Sequence, residues 1–238
     1  MEYKFRDCEI YYKFIDRKRE CTNVFLHGWG CNHKQWFFCE EFLKRQNSLY
    51  IDFPPFGNSK EPPSDWTVFT YANMVISLCE KLGIKRWNLI GHSFGGRISI
   101  IIAVLCKQET NKLVLVDSAG LKPRRSLKYY FKGVKYKIKK RLGIDVSGYG
   151  SADYRKLSSN MKKVFVNVVN IYLDEFLPFI KQPTLILFGM NDKETPVYMA
   201  KKFKSKIKNS KLILFENAGH FCFLDKKIEF LTNLKNFL

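Results

Sequence analysis

Ser93 lies in Gly91-His92-Ser93-Phe94-Gly95-Gly96, directly after the apolar run Trp87 to Ile90 and directly before an apolar helical stretch. A serine in Gly-x-Ser-x-Gly at a strand-to-helix turn is placed to act as a nucleophile. The turn must be tight enough to strain the serine backbone, so the positions two residues either side must lack bulk, as Gly91 and Gly95 do. The hydroxyl then projects at a helix N-terminus, where free N–H groups and the helix dipole favour negative charge. A serine hydroxyl is a weak nucleophile until a base with a pKa near neutrality takes its proton. His220, in Asn217-Ala218-Gly219-His220-Phe221, is the best-placed histidine, just past the last strand-like run and beside a glycine that permits a sharp turn. An acid must orient that imidazole, and it is expected after a strand lying between the serine and the histidine. Asp192, in Gly189-Met190-Asn191-Asp192-Lys193-Glu194-Thr195-Pro196, has the fuller context. Asp117, after Leu113 to Val116, reads better as a turn or helix-capping residue, and Glu194 ranks third.

Attack on a carbonyl also requires at least two hydrogen-bond donors for the oxyanion. The backbone N–H of Phe94, next to the serine, is one. The second is expected from His27-Gly28-Trp29-Gly30, where two glycines let the backbone approach a substrate and the Trp29 N–H is the donor. His27 is read as a histidine that shapes this loop, since His220 is the better base. Trp29, Phe94, Phe221, Tyr130 and Phe165 supply an aromatic lining for an apolar acyl or leaving-group pocket.

These loops need a frame. Compact apolar runs at Val24–Leu26, Leu49–Ile51, Trp87–Ile90, Leu113–Val116, Leu185–Phe188 and Leu212–Phe215 have the composition of strands buried on both faces. Helical stretches are expected at about 34–45, 67–83, 95–107, 196–206 and 225–238, and the first twenty residues read as two short strands. The alternation predicts a doubly wound α/β architecture, whose ligands bind beyond the carboxyl ends of the strands.

The chain has 238 residues, enough for one domain with a substantial core. Seven cysteines, none paired as Cys-x-x-Cys, read as reduced and mostly buried thiols, and four histidines without metal-ligand spacing predict no metal. No cofactor is expected. With no apolar run long enough to span a membrane and no hydrophobic signal core, a cytoplasmic protein is the expectation. The net charge of +19, from 41 Lys and Arg against 22 Asp and Glu, favours association with anions in general, but no nucleic-acid motif accompanies it. A solvated lysine-rich surface is the preferred reading, and no nucleic-acid partner is expected.

The His-Gly-Trp-Gly loop, Gly-His-Ser-Phe-Gly-Gly, Asn-Asp-x-x-Thr-Pro and Ala-Gly-His-Phe occur in one order along the chain, which resembles the α/β-hydrolases over essentially its whole length. The likeness is to the small single-domain serine esterases, carboxylesterases and C–C-bond hydrolases. Asp52-Phe53-Pro54-Pro55-Phe56-Gly57-Asn58-Ser59 is similar to that family's Asp-x-Pro-Gly-x-Gly-x-Ser turn, with Pro55 in place of a glycine. The resemblance excludes haloalkane dehalogenases and epoxide hydrolases, which carry an aspartate where Ser93 stands. It implies an α/β-hydrolase fold with a mostly parallel central sheet, helices on both faces and a small helical lid inserted after the sixth strand. It further implies an acyl-enzyme mechanism on an ester, thioester or related carbonyl compound of small size. C–C cleavage, acyl transfer and non-catalytic ligand binding remain alternatives on the same frame.

The expected core spans residues 1–119 and 182–238, and the expected lid 120–181. Two helical patterns fall in the lid. Leu127, Tyr130, Phe131, Val134, Ile138 and Leu142 form one, and Leu157, Met161, Val164, Phe165, Val168 and Tyr172 the other. From Lys122 to Arg141 ten of twenty residues are basic and none acidic, with Lys128, Lys132, Lys135 and Lys139 opposite the apolar stripe. A solvated outer face above an apolar roof is preferred to a membrane-contacting or anion-binding face, because the stripe has a target beneath it. Charge reversal at Lys128 and Lys132 is therefore expected to leave KM unchanged for neutral and anionic esters alike. A salt-sensitive rise in KM confined to anionic esters would assign that face to ligand binding.

Overall fold

Alternating side chains along each strand divide the apolar residues between two clusters, one on each face of a central sheet. In β3 (Thr22–Leu26), Val24 and Leu26 join one cluster and Phe25 the other. The same two-residue alternation runs through β5 (Trp87–His92), β6 (Thr110–Val116) and β7 (Thr184–Gly189). The remaining strands are β1 (Glu2–Phe5), β2 (Cys8–Ile15), β4 (Asn47–Ile51) and β8 (Ser210–Phe215). This computed structural model describes residues 1–124, 141 and 152–238. Tyr130 and the basic stripe from Lys128 to Lys139 lie outside the described residues.

The sheet has eight strands in the order β1-β2-β4-β3-β5-β6-β7-β8. β1–β2 and β2–β4 pair antiparallel, and every pairing from β4 across to β8 is parallel. Helices α1 (Val68–Lys81), α2 (Phe94–Leu105) and α5 (Val197–Lys206) cover one face. The 3-10 helix His33–Cys39, α6 (Cys222–Asp225) and α7 (Lys227–Phe237) cover the other. The expected mostly parallel sheet with helices on both faces is the observed one.

Two elements differ from expectation. The stretch expected to be helical at about 34–45 forms a 3-10 helix only from His33 to Cys39, with His33, Trp36 and Cys39 buried. Buried residues at strict three-residue steps suit the 3-10 repeat, in which i and i+3 eclipse. The C-terminal helix is split at Lys226, whose φ of −126° and ψ of 49° leave the helical region and separate α6 from α7. By contrast α1 starts where its sequence predicts. Thr67 accepts from the Thr70 N–H and Thr70 Oγ1 accepts from the Thr67 N–H, a reciprocal cap.

Between β6 and β7 lie α3 (Ala152–Lys156), α4 (Ser159–Val169) and a 3-10 turn, Leu177–Phe179. On α4 Met161, Val164 and Val168 are buried and belong to the α1–α2–α5 cluster. Hydrogen bonds from Asn160 to Glu61 and the Pro62 carbonyl, and from Asn167 to the Ser64 and Trp66 carbonyls, tie α4 to the loop before α1. The end of α4 is held from the other side. Arg97 of α2 is buried and donates through Nη1 to the Val168 carbonyl at 2.8 Å and to that of Ile171. Burial lowers the Arg97 pKa to about 10, leaving the guanidinium charged at neutral pH and its donors available to these carbonyls. Arg97→Met should lower unfolding stability by about 2–3 kcal/mol, because the buried Val168 carbonyl and the half-buried Ile171 carbonyl lose a charged donor. Urea unfolding followed by tryptophan fluorescence would measure the loss, and an unchanged midpoint would show that α4 does not depend on this contact.

Candidate active site

Because β3, β5, β7 and β8 run parallel, the loops that follow them emerge at one edge of the sheet. Ser93 is at the end of β5, where the chain turns into α2 with φ 48° and ψ −108°. A serine at positive φ is strained, typically by about 1–3 kcal/mol, and persists only where its surroundings dictate it. Its N–H donates to the Val116 carbonyl at 3.0 Å, and its carbonyl accepts from the Arg97 and Ala119 N–H groups at 3.2 and 3.1 Å. Gly95 has no room for a side chain. A Cβ there would sit 2.2 Å from the Leu26 carbonyl oxygen, while its N–H donates to the His27 carbonyl at 3.1 Å. A Cβ on Gly91 would meet the Gly95 carbonyl at 2.5 Å. The motif's two glycines are thus required by backbone-to-backbone approach.

His220 follows β8, and its Nδ1 lies 2.8 Å from Asp192 Oδ2. Asp192 is buried and accepts three further hydrogen bonds. Oδ1 takes the Glu194 and Thr195 N–H groups at 2.8 and 2.9 Å, and Oδ2 takes the Thr195 hydroxyl at 2.6 Å. Burial alone would raise its pKa, but the bonds from His220 and Thr195 outweigh burial and hold the carboxyl below the usual range. For His220 burial opposes the charged ring, and the Asp192 carboxylate overcomes it, leaving the imidazole above its ordinary 6.5. The other ring nitrogen, Nε2, lies 3.3 Å from Glu194 Oε2.

Other sequence candidates occupy different places. His27 is buried, donates through Nδ1 to the Gly28 carbonyl at 2.7 Å and accepts the Phe53 N–H on Nε2 at 2.8 Å. These bonds require a neutral ring, and burial lowers its pKa to about 4. His27 therefore shapes the loop after β3. Asp117 is buried between strand ends, accepting the Gly189 N–H at 2.8 Å and the Cys222 N–H at 3.1 Å. Burial pushes its pKa up to about 6, and it braces β7 and α6.

Ser93 and His220 open onto one cavity of about 680 Å³, which Gly28, Trp29, Phe94, Phe165, Phe221 and Glu194 also line. The Trp29 ring is central to its wall, with edge contacts to Phe56, Phe94 and Phe165 at centroid distances of 5.0, 5.3 and 5.3 Å. Phe165 of α4 brings the segment between β6 and β7 to the cavity. Among the described residues no group of three or more His, Cys, Asp or Glu side chains could hold a metal, and no helix is long and apolar enough to cross a membrane. All seven cysteines are free, with Cys8, Cys39, Cys79 and Cys222 buried.

Two contributors were not singled out from sequence. His92 occupies the first variable position of Gly-x-Ser-x-Gly, and its Nε2 donates to the His220 carbonyl at 2.8 Å. Burial lowers its pKa to about 3, so a neutral ring fixes the His220 loop to β5. Thr195 anchors Asp192, and the signal for it was already present in Asn-Asp-x-x-Thr-Pro.

Residues 24–141 and 145–227 match the family model described as alpha/beta hydrolase fold. The chain is similar to the AB hydrolase superfamily protein YisY of Bacillus subtilis, 28% identical over 236 residues covering 86% of each. It is also similar to a proline iminopeptidase of Lactobacillus crispatus, 25% identical over 281 aligned residues covering 98% of this chain and 96% of that one. Among solved structures, MGS-M2, an alpha/beta hydrolase enzyme from a Medee basin deep-sea metagenome library, shares its fold. The TM-score is 0.80 at 20% identity, over 100% of this chain and 96% of that one.

Strain at position 93 has a measurable consequence. Ser93→Gly should be more stable than Ser93→Ala by about 1–2 kcal/mol, since glycine alone adopts positive φ freely. Equal denaturation midpoints would show that the turn stores no strain.

Proposed function

Because the chain belongs to the α/β-hydrolase fold family, we propose that it is a serine hydrolase acting on an ester, thioester or related carbonyl compound through an acyl-enzyme. The observation that carries this reading is the pairing of His220 with the buried Asp192 at 2.8 Å, in a cavity onto which the strained Ser93 also opens. In this reading His220 Nε2 takes the Ser93 proton as Oγ attacks the carbonyl carbon. Asp192 keeps the imidazole proton on Nδ1 and stabilises the imidazolium that forms. The Trp29 and Phe94 N–H groups hold the oxyanion. As the tetrahedral intermediate collapses, the imidazolium protonates the departing alcohol or thiol, leaving an acyl ester on Ser93. Water then attacks that ester, with His220 again accepting the proton, and the acid is released.

The substrate is a small molecule with an apolar acyl or leaving group. That choice is supported by the cavity volume and by its lining with Trp29, Phe94, Phe165 and Phe221. Residues 120–181 act as a lid, a reading supported by Phe165 reaching Trp29 from α4. Tyr130 belongs to the same proposed lid.

The test is hydrolysis of p-nitrophenyl esters from acetate to decanoate. Ser93→Ala should abolish turnover, and Asp192→Asn should lower kcat by about 10⁴-fold. The chain-length optimum measures the acyl pocket. Since His220 must be neutral to act as base and its pKa is raised, kcat/KM should fall on acidification, with its midpoint above the ordinary histidine value. Folded Ser93→Ala that still turns over these esters would refute the serine mechanism.

A further inference from the structure

The Nε2 edge of His220 faces a second carboxylate. Glu194 Oε2 lies 3.3 Å from Nε2, while Asp192 Oδ2 holds Nδ1 at 2.8 Å, so two acids flank one ring. Glu194 borders the cavity of Ser93. It also faces the loop after β3, where the Cys31 thiol is pushed up first by burial and then by the Glu194 charge. The side chain therefore stands at the cavity between the His220 loop and the Trp29 loop.

A neutral imidazole bonded to Asp192 through Nδ1–H presents a lone pair at Nε2. A carboxylate oxygen facing that lone pair is repelled. Only the imidazolium, with N–H on both nitrogens, makes both contacts attractive. Ser93 needs the same lone pair to receive its proton, so Glu194 and Ser93 are alternative partners and the protonation of the ring selects between them. We propose that Glu194 is a positioning residue that holds His220 while its ring is the imidazolium and gives up Nε2 to Ser93 when the ring is neutral. This inference rests on the Ser93–His220–Asp192 reading.

The groups facing His220 are consistent with that assignment. The charge of Asp117 at the end of β6 also favours the imidazolium, Asp225 of α6 accepts the Gly219 N–H at 2.8 Å, and the buried His92 of β5 packs its ring 4.9 Å away. Among the described residues Glu194 is the acid at Nε2. Its side chain is 71% exposed, so it can swing into water easily, and its hold on the ring is weak and screened by salt.

The test is the pH dependence of Ser93 labelling by a fluorophosphonate in wild type, Glu194→Gln and Glu194→Asp, with Ser93→Ala as control. Removing a carboxylate that stabilises the imidazolium lowers the pH at which the ring titrates. Glu194→Gln should therefore move the acid limb of the labelling rate to lower pH by about half a pH unit. That corresponds to roughly three-fold faster labelling on the acid side, a ratio that shrinks as the ring loses its proton. Glu194→Asp should fall between the two. Added salt should move the wild-type limb toward that of Glu194→Gln, whose own limb should stay in place. Superimposed acid limbs, a salt-insensitive difference, or loss of labelling at every pH in a folded Glu194→Gln would overturn the proposal. Failure of the wild type to label, or labelling of Ser93→Ala at the same rate, would instead refute the serine-hydrolase reading itself.

Discussion

The turn at Ser93 is the constraint around which the rest of the molecule is arranged. With φ at 48° the backbone cannot hold that shape unaided. It is held by the Val116 carbonyl on one side, by the Arg97 and Ala119 N–H groups on the other, and by the contact of Gly95 with the end of β3. These partners belong to β6, α2 and the loops at the carboxyl edge, so forming the turn presupposes a sheet with β3, β5 and β6 side by side in parallel register. The apolar character of α2 follows from the same need. Ile98, Ile100, Ile101 and Ile102 are all buried and seat the helix against the sheet, which puts Ser93 at its N-terminus.

Around this fixed point the polar residues separate into two kinds by burial and charge. His27, His92 and Asp117 are buried and hydrogen-bonded to the backbone, and burial pushes each toward its neutral form. Each joins one strand end or loop to another. Asp192 and His220 behave oppositely, since their mutual hydrogen bond and the Thr195 hydroxyl favour the charged forms over the effect of burial. Groups whose environments pull their pKa values in different directions are suited to different tasks, and here the contrast sets bracing residues apart from the proposed acid–base pair. Glu194 stands outside both kinds because solvent, not burial, surrounds it.

Much of this was legible in the sequence because it depends on local chemistry or on period-two patterning. The strand runs, the glycines of the turn, the start of α1 and the loop role of His27 follow from residue type and neighbours. What was not legible depends on contacts between distant segments. His92 reads as a spacer until the sheet brings it under the His220 carbonyl, 128 residues further on. The contact between Glu194 and Nε2 depends on the geometry of two loops that no periodicity describes. The stretch after Asn32 has the composition of an α-helix, but its three-residue burial steps select the tighter 3-10 form.

The central claim is that Ser93 is a nucleophile activated by His220. It is tested most directly by exposing the folded protein to a fluorophosphonate and locating the adduct by peptide mass spectrometry. One adduct on Ser93, formed far more slowly in His220→Ala, is the expected result. No adduct on the folded wild-type chain, or one on another residue with Ser93 unmodified, would contradict it.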